Sequence, residues 1–122
     1  MTDVLSKERM DAFVAELDNK ETFNRLHRIP SLAANHPKYK DNGRYWQGGV
    51  WPGANYMVIT GLLQQGYRKL AYEIARNHYD NVLKVYKNTG TFWEYYAPEH
   101  EEPGFWLARI SWAGADWHRS PA

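Results

Sequence analysis

Trp51-Pro52-Gly53-Ala54-Asn55-Tyr56-Met57-Val58-Ile59-Thr60-Gly61-Leu62-Leu63-Gln64-Gln65-Gly66-Tyr67-Arg68-Lys69-Leu70-Ala71 is the stretch on which the fold turns. Proline is pre-set for the first turn of a helix, so a helix is expected to begin at Pro52 or Gly53. Met57, Val58, Gly61 and Leu62 follow at helical spacing, and Gly66 supplies a stop. A further helix begins at once, at Tyr67 or Arg68, and runs to Asn88. Leu70, Ala71, Ile74, Ala75, Val82, Val85 and Tyr86 form its apolar stripe, and Gly90 ends it. Two helices with so short a link make an αα-hairpin. Upstream, Met10, Phe13, Val14 and Leu17 fall on one face of a helix from Ser6 or Lys7 to Asp18, with Ser6 as N-cap.

Around these helices the sequence reads as loop. Ile29 to Trp51 contains Pro30 and Pro37, and four of the nine glycines fall between Gly43 and Gly53. Thr91 to Ala97 is a short aromatic run, a strand or an extended segment before Pro98. His100 to Gly104 reads as an acidic turn. The expected fold class is therefore all-α, with about three helices, one αα-hairpin and long aromatic-rich loops. Loops this long in a small domain are functional or mark structure missing around them.

A length of 122 residues suits one domain, 1–122, and 43% hydrophobic with 24% charged residues suits a folded one. A net charge of +1 leaves no basic excess for phosphates, so nucleic acid is not expected as partner. Absence of cysteine excludes disulfides, zinc thiolate sites and thiol nucleophiles. The first twenty residues lack an apolar signal core. Tyr45 to Tyr67 carries no formal charge, yet Gln47, Pro52, Asn55, Gln64 and its glycines suit a protein interior better than lipid. No membrane partner is expected, and the location is expected to be cytoplasmic. His27, His36, His78, His100 and His118 lack metal-ligand spacing, so they read as structural or surface residues, and neither metal nor cofactor is expected.

Aromatic residues make up 16% of a chain whose mean hydropathy is −0.72. Such rings either plug a core or line a half-wet cleft. In Tyr45-Trp46-Gln47-Gly48-Gly49-Val50-Trp51-Pro52-Gly53-Ala54-Asn55-Tyr56, two indoles and two amides surround a glycine turn at a helix start. Indole faces can stack on the C–H face of a sugar, and amides can pair with hydroxyls. A buried turn that needs glycine for close packing is the competing reading. In Phe92-Trp93-Glu94-Tyr95-Tyr96, a carboxylate among rings is either a general acid or base, or an exposed charge on an extended segment.

The first of these segments resembles the sugar-site motif of glycoside hydrolase family 63 and its mannosylglycerate-hydrolase-like relatives, Tyr-Trp-Arg-Gly-x-Val-Trp-x-x-x-Asn-Tyr. The similarity continues through Gly66-Tyr67, Leu70-Ala71 and Ile74-Ala75. Thr89-Gly90-Thr91-Phe92-Trp93-Glu94-Tyr95-Tyr96-Ala97-Pro98-Glu99 resembles the family's Glu-x-Tyr-x-Pro segment, and Phe23 to Tyr39, with Ile29-Pro30-Ser31-Leu32, also fits. The similarity covers roughly Phe23 to Gly104, leaving 1–22 as an N-terminal helical segment and 105–122 as an atypical tail. It implies part of an (α/α)6 barrel of an inverting α-glycosidase. On the family pattern Glu94 matches the general base. Trp46, Gln47, Trp51, Asn55 and Trp93 match the sugar pocket. Gln47 stands where relatives have Arg, which weakens a charge-assisted contact.

The family's general acid lies on an earlier hairpin not matched here, and one carboxylate cannot run the inverting reaction. The expectation is a carbohydrate ligand bound weakly without turnover. The alternative is an oligomeric scaffold with no sugar role. After Gly104 the family reads Asp-Phe-x-Gly-Trp-x-Gly-Leu-x-Pro-Ile, whereas this chain reads Phe105-Trp106-Leu107-Ala108 and onward. Shifting the codons from Ala108 by one frame allows Pro-Asp-Phe-Val-Gly-Trp-Gly-Gly-Leu-Ala-Pro-Ile-Ala, so the tail is expected to be a frameshift relic. A slice of a barrel exposes apolar faces, and a homo-oligomer is expected to cover them, unless aromatic residues of the tail fold back over them.

Overall fold

The computed structural model describes residues 6–104. Three helices form: α1 (Lys7–Leu17), α2 (Pro52–Gln64) and α3 (Arg68–Thr89). Each starts and stops within a residue or so of the sequence expectation. The Ser6 hydroxyl accepts the Arg9 N–H and caps α1. Pro52 opens α2, and Gly90 closes α3 in the left-handed region at φ 86°. Gln65 to Tyr67 alone join α2 to α3, so the two helices pack antiparallel, and the all-α expectation holds.

Leu62 of α2 meets Leu70, Ala71 and Ile74 of α3, and Leu17 of α1 and Ile29 close the cluster over them. The irregular chain from Asn19 to Pro30 crosses this face without a helix or strand of its own. Side-chain amides satisfy its backbone instead. Leu26 O accepts from Asn77 Nδ2 at 3.0 Å and from Asn81 Nδ2 at 3.3 Å, and Arg28 N–H donates to Asn77 Oδ1 at 2.7 Å. Asn55 takes both the Arg28 carbonyl, at 2.7 Å, and the Ile29 N–H, at 3.1 Å.

The antiparallel hairpin puts the start of α2 and the end of α3 at one end. The loops flanking those ends therefore meet. Val50 and Tyr96 exchange N–H···O bonds of 2.9 and 3.0 Å, and Tyr96 also bridges to Pro103. These are isolated bridges: Thr91 to Ala97 is irregular, with bends at Thr91 and Glu94, and no strand forms among the described residues. Val50, Val85, Trp93 and Tyr96 make a second, smaller core beneath them.

Candidate functional site

The two loops that meet at this end carry the aromatic motifs, and their rings assemble. Trp46 stacks on Trp51 at 4.1 Å with 11° between the planes, and Trp51 stacks on Tyr95 at 4.7 Å and 13°. Tyr45 stands edge-on to Trp46, Trp51 and Tyr95. The result is a three-ring column braced from the side, in the offset and edge geometries that ring quadrupoles favour. Its outer end is open, with Trp46 51% and Tyr45 52% exposed.

Backbone geometry builds this column. Tyr45 sits at φ 54°, a left-handed conformation that costs a non-glycine residue about 1–3 kcal/mol. It is held there from both sides: Tyr45 N–H donates to the Tyr95 hydroxyl at 3.0 Å, and Tyr45 O accepts from Gly49 N–H at 3.1 Å. Gly49 has no room for a side chain, because a Cβ would meet Tyr45 O, the Tyr95 ring at 2.7 Å and Gly43 O at 2.8 Å. Burial raises the pKa of the Tyr95 phenol, so at neutral pH its oxygen is a neutral acceptor; the Tyr45 N–H opposes that rise and the charge of Glu94 adds to it.

The residues singled out in the sequence occupy different places. Trp46 and Trp51 form the column. Gln47 is half-buried beside it, its backbone bonded to Lys40 and Arg44. Glu94 is exposed between two inward-facing neighbours, Trp93 and Tyr95. Asn55 is 1% exposed, and its amide is occupied by the Arg28–Ile29 backbone, so here it clamps a loop and turns no atom outward. Trp93 is buried in the smaller core, with Nε1 donating to Thr89 Oγ1 at 2.9 Å.

Three features were not singled out in the sequence. Tyr95 and Tyr45 complete the column; the run of rings was visible, but which tyrosine turns outward was not. A buried imidazole pair joins His27 Nε2 to His78 Nδ1 at 2.9 Å, against Tyr96. Burial pushes His27 well below the usual histidine range and His78 down to about 4. Glu99 accepts from Arg25 Nε at 2.6 Å and from the Tyr39 hydroxyl at 2.7 Å, tying the loop after Glu94 to the chain before α2. No group of three metal-ligating side chains occurs among the described residues. No helix among them is long and apolar enough to cross a membrane.

The sequence profile of the mannosylglycerate hydrolase MGH1-like glycoside hydrolase domain matches residues 1–120. The chain belongs to this family. It is 43% identical over 70 residues to mannosylglycerate hydrolase MGH1 of Selaginella moellendorffii, covering 57% of this chain and 13% of that protein. It superposes on the GH63 mannosylglycerate hydrolase of Thermus thermophilus, solved in complex with glucose, with a TM-score of 0.65 and 29% identity over 82% of this chain and 22% of that one. The same enzyme in complex with Tris and D-glycerate gives a TM-score of 0.63 at 30% identity, over 82% and 23%. The chain thus spans less than a quarter of these relatives' lengths. This glycosidase-like domain segment carries the aromatic column where the two family motifs meet.

Proposed function

We propose that this segment forms one wall of the sugar site of an inverting α-glycosidase and that, as an isolated 122-residue polypeptide, it binds sugar weakly without hydrolysing it. The observation that carries this reading is the ring column with an open outer face beside an exposed carboxylate, in a glycoside hydrolase family domain. Trp46 and Tyr45 offer the stacking surface for a pyranose C–H face. Trp51 and Tyr95 back them, and the Gln47 amide lies within the same loop to pair with a hydroxyl. Asn55 and Trp93 act from behind, as positioning residues that hold the two loops together. Glu94 is the general base that takes a proton from the attacking water.

Inversion needs a second carboxyl group about 6.5–9.5 Å from the base, protonating the leaving oxygen from the other side of the ring. Glu99, the next carboxylate along, is committed to Arg25 and Tyr39. The resemblance to the family, whose general acid lies on an earlier hairpin not matched here, assigns the proton donor to polypeptide outside this segment. Relatives bear names that point to mannosylglycerate and were solved with glucose and D-glycerate, so an α-linked hexoside of glycerate is the first ligand to try.

Titration of tryptophan fluorescence with mannosylglycerate, mannose, glucose and glycerate tests the reading. Quenching is expected at millimolar sugar, corresponding to about 4 kcal/mol of binding. Trp46→Ala should abolish it, while Glu94→Gln should leave it in place. Product assays on the same polypeptide should show no release of sugar. No quenching by any of these ligands up to about 100 mM, an interaction of about 1.4 kcal/mol, would overturn the binding reading. Turnover by the isolated chain would overturn the assignment of the acid to other polypeptide.

A further inference from the structure

The chain before α2 makes a tight turn beside the ring column, and the turn sets a cation there. Arg44 O accepts from Gln47 N–H at 3.0 Å, so Arg44 and Gln47 are the two ends of one four-residue turn, with Cα atoms within about 7 Å of each other. The residues between them are Tyr45 and Trp46, the open end of the column. Both peptide groups of Arg44 are fixed: its own N–H donates to Asn42 Oδ1 at 3.2 Å, and the next N–H, that of Tyr45, donates to the Tyr95 hydroxyl at 3.0 Å. Arg44 itself is exposed.

Glu94 approaches the same ring from the other loop. Burial is the chief cause of the raised pKa of the Tyr95 phenol; the charge of Glu94 raises it further and that of Arg44 lowers it, so both charges are felt at this one oxygen. The site therefore carries one anion and one cation beside a surface of rings. A neutral sugar uses the rings, the Gln47 amide and the base, and has no charge for a guanidinium to meet. A carboxylate brought close to Glu94 with no cation at hand would be repelled. A guanidinium offsets that repulsion and suits a carboxylate in shape, since its planar fork can donate two parallel N–H bonds to it.

We propose that Arg44 is a specificity-determining residue of this site, binding a carboxylate carried by the non-sugar half of the ligand while the ring column holds the sugar. The inference rests on the sugar-site reading above. It adds that the site selects anionic glycosides over neutral ones, with the Arg44 guanidinium and the Gln47 amide, at the two ends of the turn, meeting the carboxylate and a hydroxyl of the same ligand.

Three ligands test this in tryptophan fluorescence titrations of the full chain: mannosylglycerate, mannosylglyceramide, in which a neutral amide replaces the carboxylate, and methyl α-mannoside. The parent chain should bind mannosylglycerate about tenfold more tightly than either neutral ligand, the margin of a hydrogen bond to a charged group. Arg44→Gln should remove that margin and leave the two neutral ligands bound as before. Arg44→Lys, which keeps the charge and loses the fork, should retain part of it. Lys40→Gln serves as control: it removes a neighbouring exposed cation, whose backbone N–H donates to Gln47 O at 2.8 Å, and should leave the margin in place. Equal binding of charged and neutral ligands by the parent chain would overturn the proposal. So would a loss shared by all three ligands in Arg44→Gln, or a margin that Lys40→Gln reduces as much. In each of these cases the neutral ligands still bind the parent chain, so the sugar-site reading survives. Absence of quenching with every ligand would overturn that reading, and this inference with it.

Discussion

Acid should loosen this domain in a pH range set by its buried imidazole pair. The His27 Nε2–His78 Nδ1 bond requires one of the two nitrogens to be unprotonated, and burial among Tyr96 and the segment 26–30 disfavours the cation on both rings. The unfolded chain protonates its histidines near their ordinary value of about 6.5, whereas His78 in the folded chain holds out to about 4. Between those values the unfolded state binds more protons, so stability is full above about pH 6.5 and falls as pH falls. For His78 alone the loss is about 2 kcal/mol at pH 5 and reaches about 3 kcal/mol below the folded value. His27, shifted in the same direction, adds to it. At about 4–8 °C per kcal/mol for a domain of this size, the melting temperature should drop by about 8–16 °C between pH 7 and pH 5. Thermal melts at pH 7, 6 and 5 and constant ionic strength, on the parent chain and on His78→Gln, read this directly. Glutamine keeps a polar partner for His27 while removing one titrating ring, so the variant should start less stable at pH 7 and lose distinctly less on acidification. Asp11, whose pKa is lowered first by the Tyr67 hydroxyl, titrates below this window and does not obscure it. Parallel losses in the two proteins, or a parent chain whose melting point does not move between pH 7 and pH 5, would refute the argument.

Three substitutions test the architecture behind the ring column. Asn55→Ala strands the Arg28 carbonyl and the Ile29 N–H in the interior, and urea denaturation should show a loss of about 2–4 kcal/mol. Gly49→Ala drives a methyl group into Tyr45 O and the Tyr95 ring, so the urea midpoint should fall, by about 1–3 kcal/mol in stability, and the near-ultraviolet circular dichroism of the stacked rings should weaken. Tyr95→Phe keeps the stack on Trp51 but removes the acceptor for Tyr45 N–H; a loss of about 1 kcal/mol is expected, with Trp46 emission shifted toward that of a more solvated indole.

The helices were legible because their ends are written in residues with local meaning. Pro52, Gly66 and Gly90 act through their own backbone geometry, and Ser6 through a hydrogen bond three residues away, so no knowledge of the rest of the chain is needed to read them. The pairing of the two aromatic loops was legible only through family resemblance. Val50 and Tyr96 lie 46 positions apart, and nothing local in either predicts the other. Asn55 is the instructive residue. A side-chain amide beside tryptophans has the same chemistry whether it meets sugar hydroxyls or the backbone of a crossing strand of chain, and the sequence offers no means of choosing. Here the irregular segment 26–30 supplies the backbone groups, and Asn55, Asn77 and Asn81 all turn to it. His27 and His78, read in the sequence as structural or surface residues, gave no sign of being partners, since 51 positions separate them.

Adjacent tyrosines divide the site end of this domain between two tasks, and that division explains why a buried amide and a buried imidazole pair matter to an exposed ring column. Tyr95 turns to Trp51 and holds Tyr45. Tyr96 turns to His27 and His78, while its backbone pairs with Val50, one residue before Trp51. His27 N–H in turn donates to Pro98 O, two residues beyond Tyr96. The column thus rests on a short irregular segment whose far side is pinned by the 26–30 crossing, and that crossing is pinned by asparagines of α2 and α3. The placement of Trp46 is set by contacts that never reach the surface. Loss of Asn55, or protonation of the imidazole pair, acts first on the 26–30 crossing and then, through Pro98 and Tyr96, on the loop that carries Glu94. A substitution at Trp46 itself removes stacking surface and leaves that support intact.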